Sequence, residues 1–515
     1  MPAGRAKQRA SSIEKMKWLI SVCVAIIACC LWPATTLAQR DRFVRYSCTG
    51  AADSGDHSGV AAARRRLPIL KTEWDSTRTY NVAVVLVAFA DRNFSSEEPY
   101  DFYQRIFNEE GYNEGRGAGC VADYFRCQSA GWFRPHFDIY GPVKLEYNCT
   151  DYGNYGSGAF NAATRLLIDS LGVDFTPYDW NGDKTVEHII FIYAGFGGNE
   201  TANKDKGYIW PNTSAFSTIN KGNLRITYYS ASAELWSNSR SCGIGTICHE
   251  YTHTLGLPDL YPTASSEYSV VDEWDLMDGG NFVNNGWCPP NFSAHEKMLL
   301  GWYTPLELTE PTVVEDMKPL SEGGDAYIVR TEDANEFFIL ENRQWTGWDL
   351  RTPGHGLLIA HVDFDPFVWD NNSVNSSPQY HRYDYLHADN RSYTDWETII
   401  GDENPRVGGH SRILSGTPYP YVTDSTENRS LTDTSVPAAT TFRGSGLLGQ
   451  PITDIAETEG VVSFHFRDSI PDRLTTVRRD DRLPTGTVVY DLTGRRTKAT
   501  QRGIYIRNGK KIIIQ

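Results

Sequence analysis

His249-Glu250-Tyr251-Thr252-His253, running on through Thr254-Leu255-Gly256-Leu257-Pro258 to Asp259, carries the densest chemical information in this 515-residue chain. On an α-helix, residues four apart share a face, so His249 and His253 present their imidazoles side by side to one metal ion. Glu250 then projects beside the ion rather than onto it, where it can handle a water proton. Gly256 ends the helix and permits a sharp turn. That turn brings Asp259, six residues past His253, back under the metal as a third ligand. The rival third ligand is Glu296, on a later helical stretch, Ser293-Ala-His-Glu-Lys-Met-Leu-Leu300. Two imidazoles and a carboxylate leave a fourth position for water, which is the donor set of a catalytic zinc site.

The helix bearing the motif is expected over about 243–255, with Ile244, Ile247 and Leu255 facing a core. Upstream, Asn81–Ala90 reads as a buried strand, Val121–Phe125 as the start of a helix, and Asn161–Leu171 as a helix. Phe137–Tyr140 and Val143–Tyr147 read as two strands around Gly141-Pro142, and Glu187–Ala194 as a further buried strand. Past about Pro305 the texture changes. Strand-like runs at Ala326–Val329, Glu336–Glu341, Gly356–Val362 and Val461–Phe466 alternate with polar, turn-rich loops, as in an all-β, sandwich-like domain. Residues 369–455 are rich in Asn, Ser, Asp, Gly and Thr, which predicts long loops.

With those residues in view, the chain resembles the immune-inhibitor-A-like secreted zinc metallopeptidases. Gly243–Tyr261 is similar to that family's core segment nearly throughout. Trp274-Asp-Leu-Met-Asp-Gly-Gly280 resembles its methionine turn, with Met277 as a polarizable floor rather than a ligand. Trp287-Cys-Pro-Pro290, Lys297–Trp302, Asp123–Phe125, Ser129–Phe133 and Phe137–Val143 extend the likeness over roughly residues 80–365. Tyr251-Thr252 and His136 depart from the family pattern without touching the inferred ligands. The resemblance implies an α/β zincin-like, metzincin-type catalytic domain, bound zinc, secretion, and hydrolysis of protein or peptide bonds with Glu250 as general base and acid. Tyr251 and Tyr261 lie near enough in sequence to supply a second donor to the oxyanion. The alternative, a cell-surface binding or adhesion protein with a vestigial peptidase domain, fits less well with an intact Glu250. Serine, cysteine and phosphate chemistry find no motif here.

A second metal is expected at Asp179-Trp-Asn181-Gly-Asp183-Lys-Thr185-Val-Glu187. Asp179, Asn181, Asp183 and Glu187 alternate oxygen-bearing side chains around a bend at Gly182, and Thr185 offers its backbone carbonyl, a pattern suited to calcium. His188, His355, His361 and Asp363 are read instead as hydrogen-bonded core residues.

The ends of the chain speak to location. Met16-Lys17, the apolar run Trp18–Trp32 and Pro33–Ala38 form a signal peptide over residues 1–38, with Met16 the better start and cleavage before Gln39. Cys29 also loosely fits a lipidation site. Residues 39–75, with Arg64-Arg65-Arg66, read as an extension or pro-segment. The catalytic domain then spans 76–305, a β-rich domain 306–467, and a small β segment 468–515. Val488–Arg496 and Gly503–Gln515 resemble the C-terminal sorting segments of secreted Bacteroidetes proteins, which implies partnership with an outer-membrane, type IX export machinery. The formal charge of −15 argues against a nucleic-acid partner, as it does against anionic lipid. Ten cysteines fall to seven once Cys23, Cys29 and Cys30 leave with the leader, an odd number. Cys120 with Cys127 and Cys242 with Cys248 are near enough in sequence to pair, and Cys248 suits a small apolar core role. Oligomeric state leaves no mark on the sequence.

Overall fold

The computed structural model describes residues 74–467 apart from 116, 200–205, 237, 264–268, 378 and 392–413, and beyond them five short strands in the tail. The expected signal peptide (residues 1–38), nearly all of the 39–75 extension and Asn508-Gly509 lie outside the described residues.

The run Tyr-Asn-Val-Ala-Val-Val-Leu-Val-Ala forms β1 (Tyr80–Ala88). Its β-branched, apolar residues suit a strand covered on both faces. Val82, Val84 and Leu86 enter one core, while Ala83, Val85 and Val87 enter the other. The helices α1 (Pro99–Asn108) and α2 (Val121–Gln128) follow, then β2 (Pro135–Lys144), α3 (Ser157–Asp169), β3 (Ile189–Phe196), β4 (Asn212–Lys221) and β5 (Leu224–Leu235). The strands make one sheet in the order β2-β1-β3-β5-β4. All neighbours are parallel except the edge strand β4, which runs antiparallel to β5. α3 covers one face through Phe160, Ala163 and Leu167. The other face carries α1, α2 and the motif helix α4 (Gly245–Leu255), through Ile106, Phe125, Ile247 and Tyr251.

β2 corrects one expectation. Gly141-Pro142 does not separate two strands; the strand runs through them, and the pairing with β1 skips one residue between Val85 and Val87. β2 is a sheet edge, and the bulge absorbs a proline that lacks a ladder donor.

After α5 (Ala294–Leu299) the chain builds β6 (Leu306–Glu307), β7 (Thr312–Met317), β8 (Tyr327–Arg330), β9 (Glu336–Arg343) and β10 (Gly356–Asp363). A short helix α6 (Pro366–Asp370) and β11 (Tyr383–Tyr385) come next. The second sheet has the order β11-β10-β9-β8-β6. Every residue of β9 and β10 is buried, and the cores explain why. Phe337, Ile339, Leu358 and Ala360 pack into the same cluster as Tyr251, Trp274 and Phe292. Phe338, Leu340, Leu357 and Ile359 face the other way. There they meet Val314, Ile455 and Phe464 of a three-stranded sheet made by β7, β14 (Ile452–Thr458) and β15 (Val461–Phe466). β12 (Tyr421–Val422) and β13 (Glu427–Asn428) form a separate two-residue ladder. One apolar core therefore runs from the motif helix into the β-rich half.

The tail strands β16 (Thr475–Val477), β17 (Val489–Tyr490), β18 (Arg496–Thr497), β19 (Gly503–Arg507) and β20 (Lys510–Ile514) form their own sheet, with Arg507 opposite Lys510. Among the described residues, no helix is long and apolar enough to cross a membrane.

Candidate metal centre

α4 is buried along its whole length. Its N-terminus lies so close to residue 281 that a Cβ on Gly245 would stand 2.0 Å from the Asn281 carbonyl oxygen. At the other end Gly256 takes φ +106°, a left-handed conformation open to glycine, and its N–H bonds the His253 carbonyl. The chain reverses there and delivers Asp259 to the two imidazoles. His249 Nε2 lies 3.2 Å and His253 Nε2 3.1 Å from Asp259 Oδ1. All three residues are buried, and their ligand atoms lie within 4.8 Å of one another.

The other ring nitrogens settle the tautomers. His249 Nδ1–H donates to the Leu276 carbonyl and His253 Nδ1–H to the Leu257 carbonyl, each at 2.8 Å. A carbonyl can only accept, so both protons sit on Nδ1 and both Nε2 lone pairs point inward. Three electron-pair donors thus face each other in a buried space, which is unfavourable unless positive charge lies among them. The donor set fits zinc: two imidazole nitrogens and one carboxylate oxygen. Burial opposes charge on His249, yet the Asp259 and Glu250 carboxylates outweigh it and raise its pKa, so the pocket favours a cation.

Glu250 is fully buried. The Thr213 hydroxyl, on edge strand β4, lies 2.9 Å from Glu250 Oε2 and 2.6 Å from the Glu250 carbonyl oxygen. Its single proton serves one acceptor at a time. Glu250 Oε1 has no hydrogen-bond partner. The Met277 turn lies directly below: its N–H bonds Asp275 Oδ1, and its carbonyl accepts the Leu260 N–H. Asp259 is held from the β-rich half, where Asn372 bonds both its N–H and its Oδ2. Thr213, the Leu276 carbonyl and Asn372 were not evident in the sequence, because none belongs to a local pattern around the motif.

Other candidates fall elsewhere. Glu296 does not join the metal cluster. Its Oε2 accepts the Ser293 N–H at 2.7 Å, completing a capping box at the start of α5. Burial, with the Asp275 carboxylate beside it, drives its pKa well above the carboxylate range, and burial raises that of Asp275 to about 7. Tyr251 sits in the core against Phe125, Phe133 and Phe137. Tyr261 instead stacks nearly parallel to His249, with centroids 6.5 Å apart. His355 and His361 pair with Glu457 and Glu336, and Asp363 with Arg382 and Arg443. His188 is buried beside Tyr251 as a core residue, but neither ring nitrogen has a hydrogen-bond partner; burial pushes its pKa down to about 3, so it is neutral. Cys120 and Cys127 are thiols rather than a disulfide, and Cys248 lies in the core.

In the 179–187 loop the side chains turn onto backbone amides. Asp179 accepts from Gly182 and Lys184, Asn181 from Asp183, and Asp183 from Thr185. Glu187 accepts from Trp180 and Asn181, and burial raises its pKa to about 7. These residues are not among the metal-holding groups of the described residues.

Residues 73–301 match the sequence model of the immune inhibitor A peptidase M6 catalytic domain. The likeness is to a peptidase M6 catalytic domain and is carried by this segment. Among curated proteins the chain is 25% identical over 272 residues to immune inhibitor A of Bacillus thuringiensis subsp. alesti, covering 43% of this chain and 39% of that protein. It is 24% identical over 240 residues to the pre-pro-metalloprotease PrtV of Vibrio cholerae serotype O1, covering 39% of this chain and 26% of that protein. The chain thus spans well under half the length of these relatives. The M6 segment contains His249, Glu250, His253, Asp259, Thr213 and Leu276, whereas Asn372 lies outside it.

Proposed function

We propose that this chain is a zinc-dependent endopeptidase. The observation that carries the reading is the buried convergence of His249, His253 and Asp259 with Glu250 on the same helix. Zinc held by those three ligands would lower the pKa of a water toward neutrality and polarise the scissile carbonyl. Glu250 takes the proton of the attacking water on Oε1, the oxygen that Thr213 leaves unengaged, and returns it to the leaving amine. The Leu276 and Leu257 carbonyls hold the Nδ1 protons, which keeps both Nε2 lone pairs aimed inward. β4 is the edge strand of its sheet and begins at Asn212, beside Thr213, so a peptide paired along it would lie next to Glu250. Casein is the test substrate. Hydrolysis stopped by a chelator and restored by zinc supports the reading; a zinc-loaded chain that leaves casein and an unfolded-protein mixture intact moves the weight to a binding role.

The reading extends to two further features. The 179–187 loop is assigned to calcium on the strength of its oxygen-bearing side chains gathered in one turn. Isothermal titration of the chelator-stripped chain should then show saturable calcium uptake, and a flat titration removes the assignment. Export is supported by the leader-like residues 1–38 and the resemblance of the tail to sorting segments. The exported form should begin at Gln39 or later by N-terminal mass spectrometry; an intact residue 16–38 stretch on material from the medium would overturn it.

A further inference from the structure

We infer that Asn372, in the β-rich half of the chain, is a positioning residue for the metal centre: it fixes the third ligand Asp259 so that one carboxylate oxygen faces the two histidines. The inference rests on the zinc reading above and adds a residue outside the M6 segment.

The geometry is two-pronged. Asn372 Nδ2 donates to Asp259 Oδ2, and Asn372 Oδ1 accepts the Asp259 N–H, both at 2.6 Å. A carboxylate needs a donor and an N–H needs an acceptor, so the amide has one orientation only. With Oδ2 held this way, Oδ1 is the oxygen presented to His249 and His253. A carboxylate on a loop would otherwise rotate about its terminal torsion, which is broad and soft. Holding one oxygen removes that freedom before the ion arrives, and such outer contacts are worth about 10–100-fold in metal affinity.

Asn372 is itself held. It follows α6 with φ +53°, a left-handed conformation that asparagine tolerates better than most residues. Its N–H bonds the Trp369 carbonyl, and its own carbonyl accepts the Thr263 hydroxyl. Three residues on, Asn375 Nδ2 bridges the Leu260 and Tyr383 carbonyls, and Asn375 Oδ1 accepts the Tyr383 N–H. The 371–376 segment is therefore tied to β11 on one side and to the 259–263 loop on the other. The β-rich half thus holds the third ligand in place rather than merely packing behind it.

The test is zinc affinity of the full chain, by competition with a chromophoric chelator, for the parent, Asn372→Gly, Asn372→Asp and the control Asn371→Ala. Glycine deletes the amide at no conformational cost in a left-handed position. Aspartate keeps the volume but sets a carboxylate against Asp259. Asn371 bonds the nearby Phe367 carbonyl and should not matter. Both Asn372 variants should bind zinc about 10–100-fold more weakly, with Asn371→Ala unchanged and with thermal unfolding of all zinc-stripped forms alike. Zinc affinity within about twofold of the parent in either folded Asn372 variant overturns the inference and leaves the zinc reading standing. If zinc loss appears only together with a lowered unfolding midpoint of the stripped protein, Asn372 is a loop tie and the inference is wrong. A parent chain that takes up no zinc removes the zinc reading, and this inference with it.

Discussion

Glu250→Ala should keep its fold and bind zinc as the parent does while losing casein hydrolysis by about 10²–10⁴-fold, the range a positioned general acid–base contributes. The fold should survive for local reasons. Alanine is the best helix former, and the exchange falls in the middle of α4. Removing the carboxylate does not strand its partner, because the Thr213 hydroxyl lies 2.6 Å from the Glu250 carbonyl oxygen and keeps that acceptor. Zinc should stay because both imidazoles are aligned by the Leu276 and Leu257 carbonyls rather than by Glu250. Metal content by plasma mass spectrometry and initial rates on casein are the two readouts. A variant that turns over casein at the parent rate would sink the assignment of Glu250, whatever the zinc content.

The second large effect is on stability. Arg343 on β9 is 3% exposed and holds together groups from both halves of the chain. Its guanidinium bonds Asp349 through two nitrogens at 2.6 and 2.8 Å, meets Glu341 at 3.3 Å, and reaches the carbonyls of Asn291 and Trp274. Arg343→Met preserves most of the volume but leaves two buried carboxylates and two carbonyls without their cation. Breaking a buried ion pair by removing one partner costs about 3–5 kcal/mol, because the remaining charge stays desolvated. The chain should unfold at markedly lower denaturant, and residual activity should follow the folded fraction. Adding Asp349→Asn should recover part of the loss, since the stranded charge is then gone. Parent-like unfolding of the single variant would show that water reaches these carboxylates and that the network does not tie the halves together.

Arg343 and Asn372 share a lesson about the two halves. By texture, residue 305 divides an α/β stretch from a β-rich one. In space, alternate residues of β9 and β10 enter the motif helix's own core, and the remaining ones face the small three-stranded sheet. A strand buried on both faces shows an unbroken apolar run, but such a run does not say which surface covers each side.

Much of the candidate metal centre was legible because its geometry is local. A spacing of four on a helix puts His249 and His253 on one face wherever that helix lies. A glycine after the last helical turn predicts the left-handed reversal that Gly256 makes, and a reversal of that length returns Asp259 to the two histidines. The alternation in β1 and β3 into two cores also follows from strand geometry alone. Glu296 shows the limit: a glutamate in a helical stretch is a plausible ligand by pattern, and only packing turned it onto Ser293.

What tertiary structure decided is the set of contacts that hold the chemistry in place. Thr213 is 37 positions from Glu250, the Leu276 carbonyl 27 from His249, and Asn372 113 from Asp259. Each arrives through an element with its own reasons for its position: an edge strand pairing with β5, a turn beneath the helix, and a loop tied to β11. Helical period and turn chemistry act over a few residues and are written in the order of the side chains. Closure of long loops is set by the whole core, so which hydroxyl, carbonyl or amide meets a ligand is fixed only when the sheets have packed.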